Sequence, residues 1–396
     1  EEKRKSRTLN TIVSADLRII DGLNLGGQYA ANYYFRETDK FTPTLPEYFS
    51  DGTPDPANKN MRNSVSQAHQ DALTQTLQLT LNFQKQINKH EIGALLGYSQ
   101  EWYNFSSLSA SRKKIPFDGI YVIDAGTEDI TNSGTKSSWA LRSYFGRVNY
   151  AFDGKYLVEA NMRIDGTSRF ARDNRWGYFP SVAAGWRISE EAFIKDNVEW
   201  LSNLKIRGSW GQIGNDKIGN DKYYALANVA PTYDAVFGGD YYSGGTVTSL
   251  YNTQIHWERS EQLDLGFDLG LFNNRFSLEF DYYRRDTKEM LVNVDVPASV
   301  GLASVETNVG SVRNSGLDFT VKWEDSFKDF RYGIRLTGTT IKNEVTNLGG
   351  KRITSGDIGS GKSVHMTEEG MPIKYFYGYK TIGIFQSNEE IEQYNA

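Results

Sequence analysis

The sequence predicts an all-β fold: an antiparallel transmembrane β-barrel segment of about twelve strands, with short periplasmic turns and long extracellular loops. Three observations predict it. Apolar and polar residues alternate with a period of two, tight turns alternate with long polar loops, and the composition favours aromatics and glycine over aliphatics. Of 396 residues only 39% are hydrophobic, yet there are 24 Tyr, 21 Phe, 8 Trp and 37 Gly against 9 Pro. Extended strands joined by polar loops have this composition.

The period of two appears first in "LQLTLNF" from Leu77 and is clearest in "KYLVEANMRID". There Tyr156, Val158, Ala160, Met162 and Ile164 share one face, while Leu157, Glu159, Asn161, Arg163 and Asp165 share the other. In "QLDLGFDLGLF" Leu263, Leu265, Phe267, Leu269 and Leu271 oppose Asp264, Gly266, Asp268 and Gly270. "RFSLEFDYY" sets Phe276, Leu278, Phe280 and Tyr282 against Ser277, Glu279 and Asp281, and "LDFTVKW" from Leu317 and "FRYGIRL" from Phe330 follow suit. Many of these segments approach the length a tilted strand needs to cross a bilayer, about ten residues.

The connections separate a barrel from a sandwich. Tight turns are expected at "IDGL", "INKH", "FDGK", "LFNN" and "EDSFKD", and long loops near 38–71, 106–136, 213–257, 291–311 and 345–372. A short amphipathic helix is expected over Glu190 to Asn203, and a strand from Phe330 to about Glu344. A soluble sandwich shares the period of two but has no reason to keep its long loops at one end. In a barrel the apolar parity faces lipid, and Glu159, Arg163, Asp268, Glu279 and Arg335 point into a wet lumen or against a plug. Tyr156, Trp186, Trp210, Trp323 and Tyr332 lie near strand ends, where interfacial girdles form.

Other classes are disfavoured. Without Cys there are no disulfides or thiolate sites, and the four His lie far apart, so no metal site is expected. A net charge of −5 without a basic cluster argues against nucleic acid. No apolar run is long enough for a transmembrane helix. The two ends, "EEKRKSRTLN" and "EEIEQYNA", read as cuts within a longer protein.

The run Ser143 to Ile194 resembles the barrel of the SusC/RagA family of TonB-dependent outer-membrane transporters. The likeness continues through "NLKIRGSWGQIGND", "WERSEQLDLGFDLGLFNNRFSLEFDYYRRDTKEML", "NVGSVRNSGLDFTVKW" and "GMPIKYFYGYKTIGIFQS". The resemblance implies an importer in the outer membrane of a Bacteroidota-type bacterium. Such an importer takes up oligosaccharides or oligopeptides, is closed by a SusD-like surface lipoprotein and is driven through TonB. Residues 1–396 then form one partial barrel with no separate soluble domain, lacking the plug and the remaining strands of a barrel with about 22. The alternative is a secreted or surface β-rich adhesin or carbohydrate-binding module.

Candidate sites are weighed by context. "GDIGSGKS", Gly356 to Ser363, matches a phosphate-binding loop letter for letter, but polar Gly-rich chain precedes it and Pro372 follows soon after. No nucleotide is expected there. Asp264 and Asp268 share a strand face without a base, acid and nucleophile set around them, so no catalytic residue is expected. Ligand contact is expected of Tyr223, Tyr224, Tyr233, Phe237, Tyr241, Tyr242, Tyr251 and Trp257, aromatic rings amid amides and carboxylates, with packing as the competing role. The loop also repeats itself as "IGNDKIGNDK", which has no functional account, and "DGTPDPANKN" reads as a turn-rich loop rather than a calcium site.

Overall fold

The computed structural model describes residues 1–45, 47–53, 62–117, 119–217, 223, 225–226, 229–230, 233–247, 250–297, 299, 301, 304–357, 359 and 363–395. The chain divides into two compact units. The first takes in residues 1–184 with short pieces at 219–226 and 253–256, the second the remainder.

Seven strands build the first unit: β1 (Glu2–Ile20), β2 (Leu23–Thr42), β3 (Ser64–Ile87), β4 (His90–Lys113), β5 (Glu128–Phe152), β6 (Tyr156–Thr167) and most of β7 (Trp176–Arg187). They pair in chain order, and the registers of β1 to β6 are antiparallel throughout. Short turns follow from residues that accept positive φ. Gly22 sits at +81° and Asn88 at +54°, and Asp153 and Gly154 at +53° and +64° form the turn closed by Lys155 N donating to the Phe152 carbonyl at 2.9 Å.

The second unit holds β8 (Leu201–Asn215), four short strands β9 (Val229–Ala230), β10 (Ala235–Phe237), β11 (Asp240–Tyr242) and β12 (Thr246–Val247), then β13 (Glu258–Leu271), β14 (Phe276–Asp295), β15 (Ser304–Phe327), β16 (Phe330–Thr339) and β17 (Lys342–Asn347). The long strands run β8-β13-β14-β15-β16, and β17 pairs the upper part of β15. Counted over both units, the principal strands number about twelve, as expected. A three-stranded sheet of β18 (Ile353–Asp357), β19 (Ser363–Thr367) and β20 (Tyr375–Phe376) follows, and the helix α2 (Asn388–Asn395) comes last.

Three expectations about elements change. The helix over Glu190 to Asn203 is one turn, α1 (Ala192–Lys195), because β8 already pairs with β13 from Leu201. The long loops are shorter than their polarity suggests: β3 and β4 are each 24 residues and β5 is 25, so ladder pairing continues through the polar stretches 64–71 and 106–113. At ~3.3 Å per residue such a strand is roughly 80 Å long, well beyond a bilayer. The strand from Phe330 breaks at Thr340 and Ile341, where Leu317 N donates to Thr340 Oγ1 at 3.0 Å. Gly316 permits the break, because a Cβ there would lie 1.9 Å from the Thr340 carbonyl oxygen.

The solvent pattern is inverted relative to an ordinary soluble sheet. On β6, Val158 and Met162 of the apolar face are 51% and 40% exposed, while Asp165 and Thr167 of the polar face are buried. Apolar rows run straight across neighbouring strands, as in Ile206, Phe267, Phe280 and Phe319. The small buried cluster of Val312, Val345 and Leu348, flanked by Met290 and Val292, lies away from these rows under the β17 bend. No helix among the described residues is long and apolar enough to cross a membrane, which says nothing of crossing by strands.

Candidate functional site

Register places the polar residues of neighbouring strands side by side, so the polar face of each unit forms a continuous chemical wall. In the first unit Arg163 faces Phe145, with its guanidinium carbon 5.6 Å from the ring centroid. Its Nε donates to both Asp165 carboxylate oxygens at 2.9 and 2.8 Å, and Nη2 donates to Ser143 Oγ at 2.9 Å. Glu159 accepts from Asn161 at 2.8 Å, and Asn161 in turn accepts from Arg147 at 2.8 Å. Each charge therefore has a neighbour that keeps it solvated by protein. Higher on the same face Tyr103 and Trp139 stack with ring centroids 5.5 Å apart, and Arg169 lies 4.9 Å over Trp139.

The second unit is more strongly ionic. Arg207 bridges two strands, donating to Asp268 at 3.1 Å and to Asp281 at 2.8 Å through Nη2. Gly266 makes the bridge possible: it stands opposite both Arg207 and Asp281, and a Cβ there would meet Asp281 Oδ1 at 2.1 Å. Glu279 pairs with Asp268 in register, and Arg335 stands opposite Lys322 on the same face. A bulge in β14 holds Glu289 at a φ of +60°, clasped by Arg259 through bonds of 2.9 and 2.8 Å. Sequence alone identified Asp268 and Arg163 but not Arg207 or Asp281 as a pair, since only register brings them together.

The loop aromatics separate into two groups. Tyr233, Tyr241, Tyr242 and Tyr251 are exposed, Tyr241 at 83%, and the first three belong to small antiparallel hairpins. Tyr223 lies within the first unit, where it donates to the Ser138 carbonyl and stands 3.1 Å from Ser168 Oγ. Trp257 is 6% exposed, so its ring is packed into protein. Tyr224 lies outside the described residues. Of the repeat, 218–222 lie outside them too, as do 54–60 of the Asp/Asn-rich stretch.

The phosphate-loop letters sit at the tip of the β18–β19 hairpin, where Asp357 pairs with Ser363. A strand, not a helix, follows Ser363, so the helix N-terminus that holds phosphates in nucleotide hydrolases does not form there. Ile358 and Ser360 to Lys362 lie outside the described residues. Near this hairpin the Glu369 carboxylate accepts from Leu348 N at 2.8 Å and Gly350 N at 3.2 Å, and these bonds hold it below the usual carboxylate range. Among the described residues no group of three or more His, Cys, Asp or Glu could hold a metal ion.

Residues 2–364 match the family described as "TonB dependent receptor-like, beta-barrel". The chain is 34% identical over 317 residues to the TonB-dependent receptor P39 of Formosa agariphila, covering 78% of this chain and 29% of that protein. It is 36% identical over 270 residues to the TonB-dependent receptor SusC of Bacteroides thetaiotaomicron, covering 65% of this chain and 27% of that one. These relatives are named as receptors and not as enzymes. Among solved structures, the RagAB peptide transporter superposes with a TM-score of 0.80 at 26% identity, over 95% of this chain and 40% of that one. The chain thus spans less than a third of the two curated relatives' length. Inverted faces, antiparallel strands in chain order and these matches lead to one conclusion: the chain belongs to the TonB-dependent receptor β-barrel family, in its SusC- and RagA-like branch.

Proposed function

We propose that residues 1–396 are one section of barrel wall, without a separate soluble domain, in an outer-membrane importer of oligosaccharides or oligopeptides. Its apolar faces meet lipid. Glu159, Arg163, Asp268, Glu279 and Arg335 face the lumen or a plug, and the exposed Tyr233, Tyr241, Tyr242 and Tyr251 meet ligand or a SusD-like lipoprotein lid. Energy comes from TonB through the plug. The observation that carries this reading is the inversion of faces, with Val158 exposed and Asp165 buried on one strand. In water that arrangement is unfavourable, and in a bilayer it is the stable one.

Residues 1–396 contain no Cys, so a direct test is simple once any Cys elsewhere in the natural-length protein is replaced. Single substitutions Val158→Cys and Asn161→Cys, in the natural-length protein in outer-membrane vesicles, carry a fluorescent label. The label at 158 is expected to be quenched by a lipid-borne quencher and the label at 161 by an aqueous one. The reverse pattern, or recovery of the protein in the soluble fraction, overturns the reading.

A further inference from the structure

On β5 the apolar face runs away from the short turn through Phe152, Tyr150, Val148, Gly146 and Tyr144, and the next residue on it is Arg142. Val148 and Tyr144 are exposed. Arg142 is exposed as well, and among the described residues its guanidinium makes no hydrogen bond or ion pair. The surrounding strands supply no anion for it. No acid stands on this face of β4 or β6, at their even positions, β7 has no acid at all, and the only one on this face of β5 is Glu128, the first residue of the strand. A guanidinium at the edge of an apolar face calls for a counter-charge, and this stretch of wall does not contain one.

The neighbours of Arg142 set its level and its chemistry. Gln100 stands opposite it, and Tyr98 OH donates to Gln100 Oε1 at 2.6 Å, which commits the amide oxygen and leaves the NH2 to donate outward. One row below, Tyr98 and Tyr144 have ring centroids 5.4 Å apart, and Tyr144 stacks on Trp176 at 6.1 Å. Such rings gather where hydrocarbon gives way to headgroups. The exposure does not come from absent wall: β5 lies between β4 and β6, further strands add at the sheet edges, and a plug lies against the opposite face. The second unit repeats the order of residues. On β14 Tyr282 ends the apolar row and Arg284 is the next residue on that face. Its Nε donates to Asp286 Oδ2 at 2.9 Å, and the same carboxylate accepts from Arg313 Nε at 2.6 Å, so one acid serves two guanidiniums and positive charge is left over.

We propose that Arg142 and Gln100 form a binding site for the phosphate of an anionic membrane lipid in the outer leaflet, whose acyl chains lie along the Tyr144 and Val148 row. This rests on the barrel reading above, in which that row meets lipid. A guanidinium offers phosphate oxygens two parallel N–H donors, and the Gln100 amide adds another beside them. Charge and level agree, because lipid phosphate is the anion found just above the hydrocarbon.

The test uses the natural-length protein, any other Cys replaced, in phosphatidylcholine vesicles with a fluorophore on Leu77→Cys. Leu77 stands opposite Gln100 on the side away from Arg142, so the label shares their row, about 10 Å from the arginine. The probes are phosphatidylglycerol and phosphatidylcholine, each at the same low mole fraction and each with a nitroxide at the top of one acyl chain. Phosphatidylglycerol is expected to associate roughly fivefold more strongly, read as quenching of the label, and Arg142→Gln to bring the two lipids to near equality. Arg142→Lys keeps part of the preference, since the charge stays and the fork is lost. Should Arg142→Gln insert poorly, Gln100→Ala is expected to lower the preference roughly twofold by removing one donor.

Equal quenching by both lipids in the parent overturns the site. So does an unchanged preference in Arg142→Gln or, where that variant does not insert, in Gln100→Ala. Loss of the preference on adding millimolar inorganic phosphate at constant ionic strength assigns the donors to free phosphate and overturns the lipid source. Quenching of the Leu77→Cys label by neither lipid, while a label on Val158→Cys is quenched by both, places the row in water or under a protein and overturns the proposal alone. A Val158→Cys label quenched by neither overturns the barrel reading itself.

Discussion

The two units share one rule of face alternation but fill their polar sides differently. In the first, the even-numbered face of β3 carries amides and hydroxyls together with Ala68 and Ala72, and no charge of its own. In the second, the equivalent positions of β13 and β14 include Asp264, Asp268, Glu279, Asp281 and Arg285, with Arg207 bridging strands. Their apolar sides are nearly interchangeable, Val158 and Met162 in one, Leu263 and Leu265 in the other, all exposed. What must meet lipid is constrained to one chemistry by the solvent, whereas what meets water is free to diverge with its task.

The largest expected effect tests the shared side. Val158→Arg and Leu265→Arg should each destabilise the barrel by about 2–4 kcal/mol in reversible unfolding from lipid bilayers. Unequal losses would show that only one unit's face is immersed. Next comes the difference between the walls. Arg207→Ala leaves Asp268 and Asp281 without their shared cation. Discounted for partial solvation, that should cost about 1–2 kcal/mol, whereas Gln78→Ala should stay within about 0.5 kcal/mol. Equal costs would remove the distinction between an ionic clamp and a solvated ladder.

Gly266→Ala sharpens the same point by geometry. Its Cβ would stand 2.1 Å from Asp281 Oδ1, so the bridge must shift, and a loss of about 1–3 kcal/mol is expected without any change of charge. Double substitution with Arg207→Ala should be less than additive, because the bridge can be lost only once.

The smallest effect concerns pH and salt in the connections. In the first unit Asp153 is held below its usual range by the Lys89 ammonium, its partner at 2.9 Å. In the second, Glu369 is held low by two backbone N–H groups. A lowered folded-state pKa means that each contribution is present above the ordinary carboxylate range and is lost as pH falls through the folded value. Acidification below each group's ordinary carboxylate range should therefore loosen both connections, Glu369 before Asp153, read as faster amide exchange near residues 153 and 369. Added salt at neutral pH should loosen only the Asp153 turn, since screening acts on exposed ion pairs and far less on backbone hydrogen bonds.

Much of the fold was legible because two signals are purely local. Parity identified β6, β13 and β14 from single strands, and the positive-φ residues of "IDGL" and "FDGK" marked the turns. The stretches 64–71 and 106–113 were read as loops because neither face is apolar there, yet backbone pairing needs no apolar side chain. The site was less legible. Glu159 and Asp268 could be placed on a polar face from their own strands, but the partnership of Arg207 with Asp281 depends on a register between strands more than 60 residues apart. Burial of Trp257 could not be told from exposure of Tyr241, since both stand in the same Gly- and Asn-rich surroundings.

Two glycines, Gly97 and Gly338, lie directly beneath the rings of Phe145 and Phe319, each ring within 2.5 Å of where a Cβ would stand. A slip of two residues would set the Phe145 ring against Leu95 or Ser99 instead, and the ring could no longer lie flat on the sheet. In the β3–β4 and β4–β5 hairpins each strand exceeds 20 residues, and alternative pairings differing by two positions keep the same faces and nearly the same hydrogen bonds. A bare backbone position that accepts one particular ring breaks that degeneracy. These ring-and-gap pairs would thus favour a single alignment of long, repetitive strands over its near-equivalents.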